Sequence, residues 1–297
     1  MSAVPRVRAA IDSAELIFDV GFNIGQDSQF YLAEGHRVVA IEADPTLAEK
    51  GRQRFHAEVA SGQLTLVNIG VAAEEGSADF WICEGKPEFN SFFREIAARD
   101  GYSHHKITVP TTRFATLIGT YGTPHFLKID IEGHDMLCLA GLDSQHLPAY
   151  LSIESECPLD GQNASVEDGI RVLRALHDLG YRNFKLIDQL DFQSLSLPPS
   201  LNQRMQRFSE QYLLRPPLRN IRGTYRLSQH LMPKPRLERK FRRVFPLGCS
   251  GVWGEDTPGA WLGYADAERA YRYYRDVHFR NPAARHYSFW CDWHAKR

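Results

Sequence analysis

LIFDVGFNIG, residues 16–25, is the stretch that decides the fold. Leu16 to Val20 form a short apolar run, which predicts a buried strand, and Gly21 ends it. The composition of residues 27–34 is helical, and Gly35 closes that segment. The order strand, glycine turn, helix predicts the first unit of a parallel sheet, with a ligand crevice at the carboxyl end of the strand.

The same unit recurs along the chain. Further strands are predicted at 37–42, 64–69, 126–131, 149–154 and 184–187, and helices at 46–60, 135–142 and 166–179. Strands that alternate with helices indicate βαβ units. We therefore expect an α/β fold, a Rossmann-like and mostly parallel sheet with helices on both faces. A hairpin predicted at 78–82 and 106–110 interrupts the alternation.

Charge divides the chain into two parts. Residues 1–187 hold 16 Lys and Arg against 26 Asp and Glu, whereas residues 188–297 hold 19 against 10. A structureless loop as long as residues 188–285 is unusual inside a compact domain. We predict a cofactor-binding Rossmann-like core at 1–187. An inserted lid subdomain at 188–285 would cover the crevice on the side of the second substrate, the acceptor. A closing strand of the core sheet is predicted within 286–297, at Tyr287 to Trp293.

Composition excludes several classes of protein. The 297 residues are 43% hydrophobic and 24% charged, which is typical of a folded globular chain. No apolar run reaches the length of a membrane-spanning helix, and the first eleven residues lack the apolar core of a secretion signal. We expect a cytoplasmic protein with no membrane span. The five scattered cysteines lack metal-binding spacing and are expected to be reduced.

The basic segment, residues 204–243, holds 12 Lys and Arg against two acids. Three interpretations are open: a lid over an anionic acceptor, a nucleic-acid surface, and solvated helices that face the acidic half of the chain. No nucleic-acid-binding motif accompanies the charge, so we expect no nucleic-acid partner. The first interpretation predicts that Arg239, Arg242 and Arg243 select the acceptor.

The glycine turn has the chemistry of a nucleoside site. Gly21 and Gly25, with Asn23 between them, allow a tight turn and close approach of backbone N–H groups to a ligand. Asp19 would repel a pyrophosphate but can accept hydrogen bonds from an ammonium group. Glu42, at the end of the second strand, can take both hydroxyls of an unphosphorylated ribose. Together these residues predict a ligand that is both an amino acid and a nucleoside.

At these residues the chain resembles the FkbM family of S-adenosylmethionine-dependent methyltransferases, a branch of the class I, Rossmann-like methyltransferases. The family usually has a small residue where this chain has Phe22 and His134. The Lys-Ile-Asp-x-Glu-Gly run on the fourth strand is the family's hallmark. The resemblance spans about residues 16–157 and rests on DVGFNIGQDS (19–28), IEADP (41–45), FLKIDIEGHD (126–135) and LAGL (139–142).

The resemblance implies S-adenosylmethionine as the cofactor and methyl transfer to an oxygen, often a hydroxyl of a sugar or specialised metabolite. By similarity, Asp19 and Gly21 lie beneath the methionine portion and Glu42 binds the ribose. Gly70 and Val71, after the third strand, lie near the adenine. The expected partner is a small-molecule or glycan acceptor, and the basic segment would suit an anionic one.

Candidate proton acceptors follow the fourth and fifth strands. Asp130, which by similarity borders the methionine and the acceptor, is followed at alternating positions by Glu132 and His134, and Glu154 and Glu156 follow the fifth strand. Methyl transfer needs an oriented acceptor and a base for its proton. The ordinary pKa of His134 suits that task, and Glu132 serves as well if burial raises its pKa. We predict Asp130, Glu132 and His134 as the catalytic group.

Other interpretations of the same residues stay open. The carboxylates could hold a divalent cation such as Mg²⁺, although no spacing motif supports one, or form structural ion pairs. An NAD-dependent dehydrogenase is the alternative enzyme, and a non-catalytic S-adenosylmethionine-binding protein is the alternative from another class. A test of whether the protein binds S-adenosylhomocysteine or NAD distinguishes the two enzymes. A test for catalytic turnover distinguishes either enzyme from a protein that only binds the cofactor.

Overall fold

The computed structural model describes residues 14–157, 165–199, 233–278 and 289–297, together with residues 201 and 204. The described strands are β1 (Leu16–Val20), β2 (Arg37–Glu42), β3 (Leu64–Asn68), β4 (Gly70–Val71), β5 (Gly76–Cys83), β6 (His104–Thr112), β7 (Phe126–Ile129), β8 (Tyr150–Glu154), β9 (Asn183–Asp188) and β10 (Cys291–Lys296). The described α-helices are α1 (Gln26–Ala33), α2 (Pro45–Arg54), α3 (His56–Ser61), α4 (Arg94–Ala97), α5 (Phe114–Tyr121), α6 (Asp135–Ala140), α7 (Val166–Leu179), α8 (Pro233–Phe241) and α9 (Tyr264–Tyr273).

A seven-stranded sheet in the order β3-β2-β1-β7-β8-β10-β9 forms the centre of the fold. β1 pairs in parallel with β2 and β7, and parallel pairing continues from β2 to β3 and from β7 to β8. β10 is antiparallel to both β8 and β9. The predicted α/β fold with a mostly parallel sheet is confirmed. Strand order reverses between β1 and β7, and at such a switch point the carboxyl ends of the strands form a ligand crevice.

Local sequence signals explain where the elements begin and end. The Asp44 side chain accepts hydrogen bonds from the first turn of α2, and Pro45 begins that helix. Ser165 and Asp168 form a capping box at the start of α7, and Gly180 ends the helix at a φ of 119°. The amphipathic helix predicted at 166–179 is therefore confirmed.

Several predicted elements differ in extent, most clearly one helix and two strands of the large sheet. The helix predicted at 46–60 is two helices, α2 and α3, because the backbone of Phe55 leaves the helical region between them. β7 ends at Ile129 instead of residue 131, since Glu132 and Gly133 turn the chain with positive φ values of 50° and 116°. The closing strand begins at Cys291 instead of Tyr287, and Tyr287 lies outside the described residues.

A smaller sheet covers one side of the crevice. β5 and β6 pair antiparallel, which confirms the predicted hairpin, and both strands extend beyond the predicted ends. β4 adds to β6 in parallel. In sequence, the small sheet begins directly after β3. The loop between its strands β5 and β6 contributes residues that line the crevice.

The two faces of the large sheet have separate apolar cores. Along β1, Phe18 belongs to one core and Ile17 to the other, as the alternation of a strand requires. Tyr271 on α9 lies in the same core as α7, although α9 falls within the predicted lid range. Phe245 packs with α1 in the second core. The division into core, lid and closing strand stays a prediction, and 205–232 and 279–288, within or beside the predicted lid, lie outside the described residues.

Candidate active site

A cleft of about 690 Å³ opens at the carboxyl ends of β1, β2, β7 and β8. Its position is the switch point of the sheet, and its volume is within the range of small-molecule sites. Seven residues predicted to form the site share its wall. They are Gly21, Asn23, Glu42, Gly70, Val71, Asp130 and Glu132.

The turn after β1 requires glycine at residue 21. Its φ is 92°, and a Cβ there would lie 1.7 Å from the carbonyl oxygen of Asp130. The ends of β1 and β7 therefore approach so closely that no side chain fits between them. Glycine is required at residue 25 for a different reason, because a Cβ there would collide with the rings of Phe22 and Phe55. Gly25 is not among the residues of the cleft wall. The predicted contact of Gly25 with the ligand stays a prediction.

Glu42 is held at the end of β2 by backbone donors. Its Oε2 accepts from Asn23 N at 2.7 Å, and its Oε1 accepts from Asp44 N at 2.8 Å. Burial raises the pKa of Glu42 to about 7. Each carboxylate oxygen keeps a further lone pair for a ligand hydroxyl. Beside it on the wall, Asn23 Oδ1 is buried without a hydrogen-bond partner in the described structure.

Asp19 lies behind the cleft wall and not on it. The side chain is fully buried, Ser28 Oγ donates to Oδ2 at 2.6 Å, and Lys128 Nζ lies 3.2 Å from Oδ1. The sequence predicts that this carboxylate receives the ammonium group of a ligand. In the structure the ammonium group beside it belongs to the chain itself.

Lys128 is a buried charged residue behind the cleft wall that sequence reasoning did not assign to the site. It is 3% exposed, and its Nζ lies 3.2 Å from Asp19 Oδ1, 3.5 Å from Asp130 Oδ2 and 3.7 Å from Asp27 Oδ2. It also donates to the carbonyl oxygen of Gly21 at 2.9 Å. Burial lowers its pKa, but the three carboxylates overcome that effect and raise the pKa above its ordinary value. A lysine inside the apolar run FLKIDI was the available signal, because an unpaired charge is not stable in a buried strand.

Asp27 joins this network to the last third of the chain. Its Oδ2 accepts from Ser250 N at 3.1 Å and its Oδ1 accepts from Gly251 N at 3.0 Å. Burial raises the pKa of Asp27 to about 6, and Lys128 opposes that shift. Ser250 also lines the cleft. One buried carboxylate at the start of α1 therefore positions a cleft-lining loop that lies more than 220 residues later in the chain.

Gly70 and Val71 line the cleft near Glu42, away from the Asp27 network. They form β4, and a Cβ on Gly70 would lie 2.4 Å from the ring of Phe92. The loop that carries Phe92 is held by Asn90, whose Nδ2 donates to Asp44 Oδ2 at 3.1 Å and whose Oδ1 accepts from Cys83 N at 2.8 Å. This end of the cleft is lined by aromatic rings, which suits the predicted place of an adenine.

Asp130 and Glu132 follow β7 on the cleft wall. The side chain of Asp130 is 41% exposed and faces Lys128, whereas Glu132 lies with Oε2 at 3.8 Å from Arg99 Nη2. Burial, and then the charge of Asp130, raise the pKa of Glu132 to about 8. The Glu132 backbone has a positive φ of 50°, and Ser91 Oγ donates to its carbonyl oxygen at 2.6 Å. A carboxyl group with a pKa near neutrality on a cleft wall is suited to proton transfer.

His134, the third predicted catalytic residue, lies outside the cleft lining. Its Nδ1 lies 2.9 Å from the carbonyl oxygen of Val71, and its ring stacks on Phe92 at 4.4 Å between centroids. The structure therefore does not bring His134 together with Asp130 and Glu132 on the wall. Glu156 also lies elsewhere, because it accepts from Tyr271 Oη at 2.6 Å and pairs with Arg275.

Two further carboxyl groups meet at the β8 side of the cleft. Glu154 and Asp292 are directly opposite each other on the antiparallel strands β8 and β10, and both line the cleft. Burial raises the pKa of each well above its ordinary value. Glu154 was a predicted proton acceptor. Asp292 was missed as a site residue, because its strand was predicted to return to the sheet but the place of that strand beside β8 is not readable from local pattern.

The described part of the basic segment lies away from the cleft. Arg239, Arg242 and Arg243 line a separate, shallow groove, and Arg243 Nη1 donates to the carbonyl oxygen of Gln29 at 2.9 Å. None of the three contributes to the cleft wall. The expectation that these arginines contact the acceptor is not supported by their position, and residues 205–232 of the segment lie outside the described residues.

Within the described ranges, no group of three or more His, Cys, Asp or Glu side chains has the arrangement of a metal site. In the same ranges no helix is both long enough and apolar enough to cross a membrane. All five cysteines of the chain lie within the described ranges, are buried and form no disulfide.

The model of the methyltransferase FkbM domain matches residues 19–183, more than half of the chain. A search of curated proteins finds no match. Among solved structures, the chain is similar to an O-methyltransferase from Bacillus cereus in complex with SAH, at 12% identity and a TM-score of 0.34, over 63% of this chain and 75% of that one.

Two further solved structures are similar at comparable levels. The O-methyltransferase TomG from Streptomyces achromogenes, involved in tomaymycin synthesis and in complex with SAM, is 13% identical with a TM-score of 0.33, over 63% of this chain and 74% of that one. The geranyl diphosphate C-methyltransferase from Streptomyces coelicolor A3(2) is 11% identical with a TM-score of 0.34, over 99% of this chain and 79% of that one.

Proposed function

Because the chain belongs to the FkbM methyltransferase family, whose cofactor is S-adenosylmethionine, we propose that it methylates a hydroxyl oxygen of a sugar or specialised metabolite. The observation that supports this proposal is the position of Glu132, a carboxyl group of raised pKa on the same cleft wall as Gly21 and Glu42. One cleft thus offers a nucleoside-binding end and a proton acceptor.

The residues present fit the cofactor. Glu42 keeps a free lone pair on each carboxylate oxygen for the ribose hydroxyls, and the buried Asn23 Oδ1 beside it lacks a donor within the described structure. The turn at Gly21 leaves room for close approach to the backbone, and Gly70 would receive the adenine. When bound, S-adenosylmethionine supplies an electrophilic methyl group with a neutral thioether as leaving group.

The remaining chemistry belongs to the chain. Glu132 in its ionised form accepts the proton of the acceptor hydroxyl, whose oxygen becomes the nucleophile. Asp130 stays next to the Lys128 ammonium and orients the acceptor at the carboxyl end of β7. Exclusion of water and alignment of the hydroxyl by the cleft wall supply most of the rate, because an oriented pair reacts as if at very high concentration.

Isothermal titration and transfer of label test this function against its alternatives. We expect binding of S-adenosylhomocysteine and no binding of NAD, together with transfer of tritium from methyl-labelled S-adenosylmethionine to a hydroxyl compound in a metabolite extract of the source organism. Binding of NAD alone would favour the dehydrogenase. Binding of S-adenosylhomocysteine without any transfer would indicate a protein that binds the cofactor and does not catalyse.

A further inference from the structure

The cleft has a second polar region, on the side of β8, β9 and β10. We call the set Glu154, Gln189, Trp290 and Asp292 the acceptor-side cluster, and all four line the cleft. Glu154 and Asp292 are register partners on antiparallel strands, so their side chains project from the same face of the sheet. The cluster lies beside Glu132 on that wall, on the opposite flank of β7 from Glu42.

Gln189 holds a hydrogen-bond donor that the described structure does not satisfy. The residue follows β9, is 4% exposed, and its backbone N donates to the carbonyl oxygen of Trp290 at 3.0 Å. Its side-chain Nε2 is buried without a partner among the described residues. Leaving a buried amide donor unpaired is costly, so an oxygen of a bound ligand is the group that this position lacks.

The described cleft wall offers an anionic ligand few cationic partners. Six carboxyl groups line the cleft, namely Glu42, Glu88, Asp130, Glu132, Glu154 and Asp292. The cationic residues of the described lining are Lys86, 3.1 Å from Glu88, and Arg99, 3.8 Å from Glu132. Both are thus already beside a carboxylate of the same wall, and Lys128 lies behind it.

We propose that the acceptor-side cluster binds an uncharged, hydroxyl-rich ring, with the carboxyl groups of Glu154 and Asp292 and the amide of Gln189 each bonded to a ring hydroxyl. This inference rests on the proposed function and names its substrate class. Carboxyl oxygens accept from hydroxyl groups, the Gln189 amide donates to a hydroxyl oxygen, and the Trp290 ring offers an apolar face. Burial raises the pKa of both Glu154 and Asp292, and a carboxyl group in its protonated form can also donate.

The charge of the labelled product tests the inference on the unmodified protein. Methyl-tritiated S-adenosylmethionine is incubated with the protein and the metabolite extract, and the products are separated by ion exchange into neutral, cationic and anionic fractions. We expect the label in the neutral fraction. Label confined to the anionic or cationic fraction would overturn the inference and leave the methyltransferase function intact.

Two variants test the residues of the cluster. The acceptor in this assay is the unmethylated compound from which the labelled neutral product forms. Gln189→Leu and Asp292→Asn are each expected to raise the acceptor KM at least tenfold and to leave the S-adenosylhomocysteine Kd within twofold. Asp178→Asn, at a residue on α7 whose side chain is 71% exposed, is the matched control with unchanged KM. An unchanged KM in both variants would overturn the inference. If no fraction is labelled although S-adenosylhomocysteine binds, the proposed function fails and the inference fails with it.

Discussion

Lys128 Nζ lies 2.9 Å from the carbonyl oxygen of Gly21, a residue 107 positions earlier in the chain. The same ammonium group faces the carboxylates of Asp19, Asp27 and Asp130. It therefore connects the glycine turn of β1 with the acidic end of β7 from behind the cleft wall. The glycine turn and the acidic end of β7 are thus held together by a charge that lies outside the cleft lining.

Removal of the Lys128 charge is expected to destabilise the fold. Lys128→Met keeps the length of the side chain but leaves Asp19 and Asp27 buried without their cation, which costs about 3–5 kcal/mol. Urea unfolding followed by circular dichroism measures the loss. Lys106→Met removes an exposed ion pair with Asp79 and is expected to cost less than about 1 kcal/mol. Equal losses in the two variants would show that the buried network contributes little.

Glu42→Ala is expected to weaken S-adenosylhomocysteine binding by about 1.5–3 kcal/mol, the range for hydrogen bonds to a charged group. Isothermal titration gives the Kd, and circular dichroism checks the fold. Glu49→Ala, at an exposed carboxylate on α2, provides the control with unchanged affinity. A folded Glu42→Ala variant with the affinity of the wild type would remove Glu42 from the cofactor site.

The stability of the cofactor-free protein is expected to fall as the pH rises from 6.5 to 8. The pKa values of Glu42 and Glu132 are raised by burial to about 7 and about 8, so the folded state binds more protons than the unfolded state in this range. His294, whose pKa is lowered to about 3 by burial, opposes this fall in part, because its unfolded state is still partly protonated at pH 6.5. Urea unfolding at the two pH values measures the fall, of about 1–2 kcal/mol.

The variant Glu42→Gln separates this effect from other titrations. Glutamine cannot ionise, so the difference in unfolding free energy between pH 6.5 and 8 is expected to be smaller in the variant than in the wild type. The same slope in both proteins would contradict the assignment of the raised pKa to Glu42.

Methyl transfer is expected to speed up with rising pH and to level off above about pH 8, because Glu132 accepts a proton only when it is ionised. Glu132→Gln is expected to lower kcat by about 10²–10⁴ with cofactor affinity unchanged. Tritium transfer at saturating acceptor measures kcat. The control is Glu95→Gln, at an exposed residue of α4. If Glu132→Gln kept both the rate and the pH profile of the wild type, another group would be the base.

Sequence patterns within a few residues predicted those parts of the candidate site that lie at the ends of strands. Gly21 and Glu42 each stand at the carboxyl end of an apolar run, and parallel pairing of those runs is enough to bring them to one edge. The same reasoning predicted both Glu132 and His134 at this edge; Glu132 lines the cleft and His134 does not, because a side chain after a strand end can turn toward either side of the wall. The stacking of His134 on Phe92 depends on a loop more than 40 residues earlier.

The missed residues depend on contacts between distant segments. Asp292 reaches the cleft because β10 inserts between β8 and β9, and Ser250 reaches it because its N–H is bonded to Asp27. No periodicity encodes either contact. Lys128 was visible in the hallmark run, but its partners come from β1, α1 and the end of β7, so its task follows from the three-dimensional arrangement alone.

The place of β10 in the sheet has a consequence for synthesis on the ribosome. β9 has β10 as its neighbour in the sheet. The hydrogen bonds of Asp27 to Ser250 N and Gly251 N form only after those two residues have been made. Until residues 291–296 are translated, β9 lacks β10, its partner among the described strands, and the carboxyl end of β8 lacks its partner Asp292. The nascent chain thus carries an open edge at β8 from the synthesis of β8 until the synthesis of β10, and the cleft lacks Asp292 over the same interval.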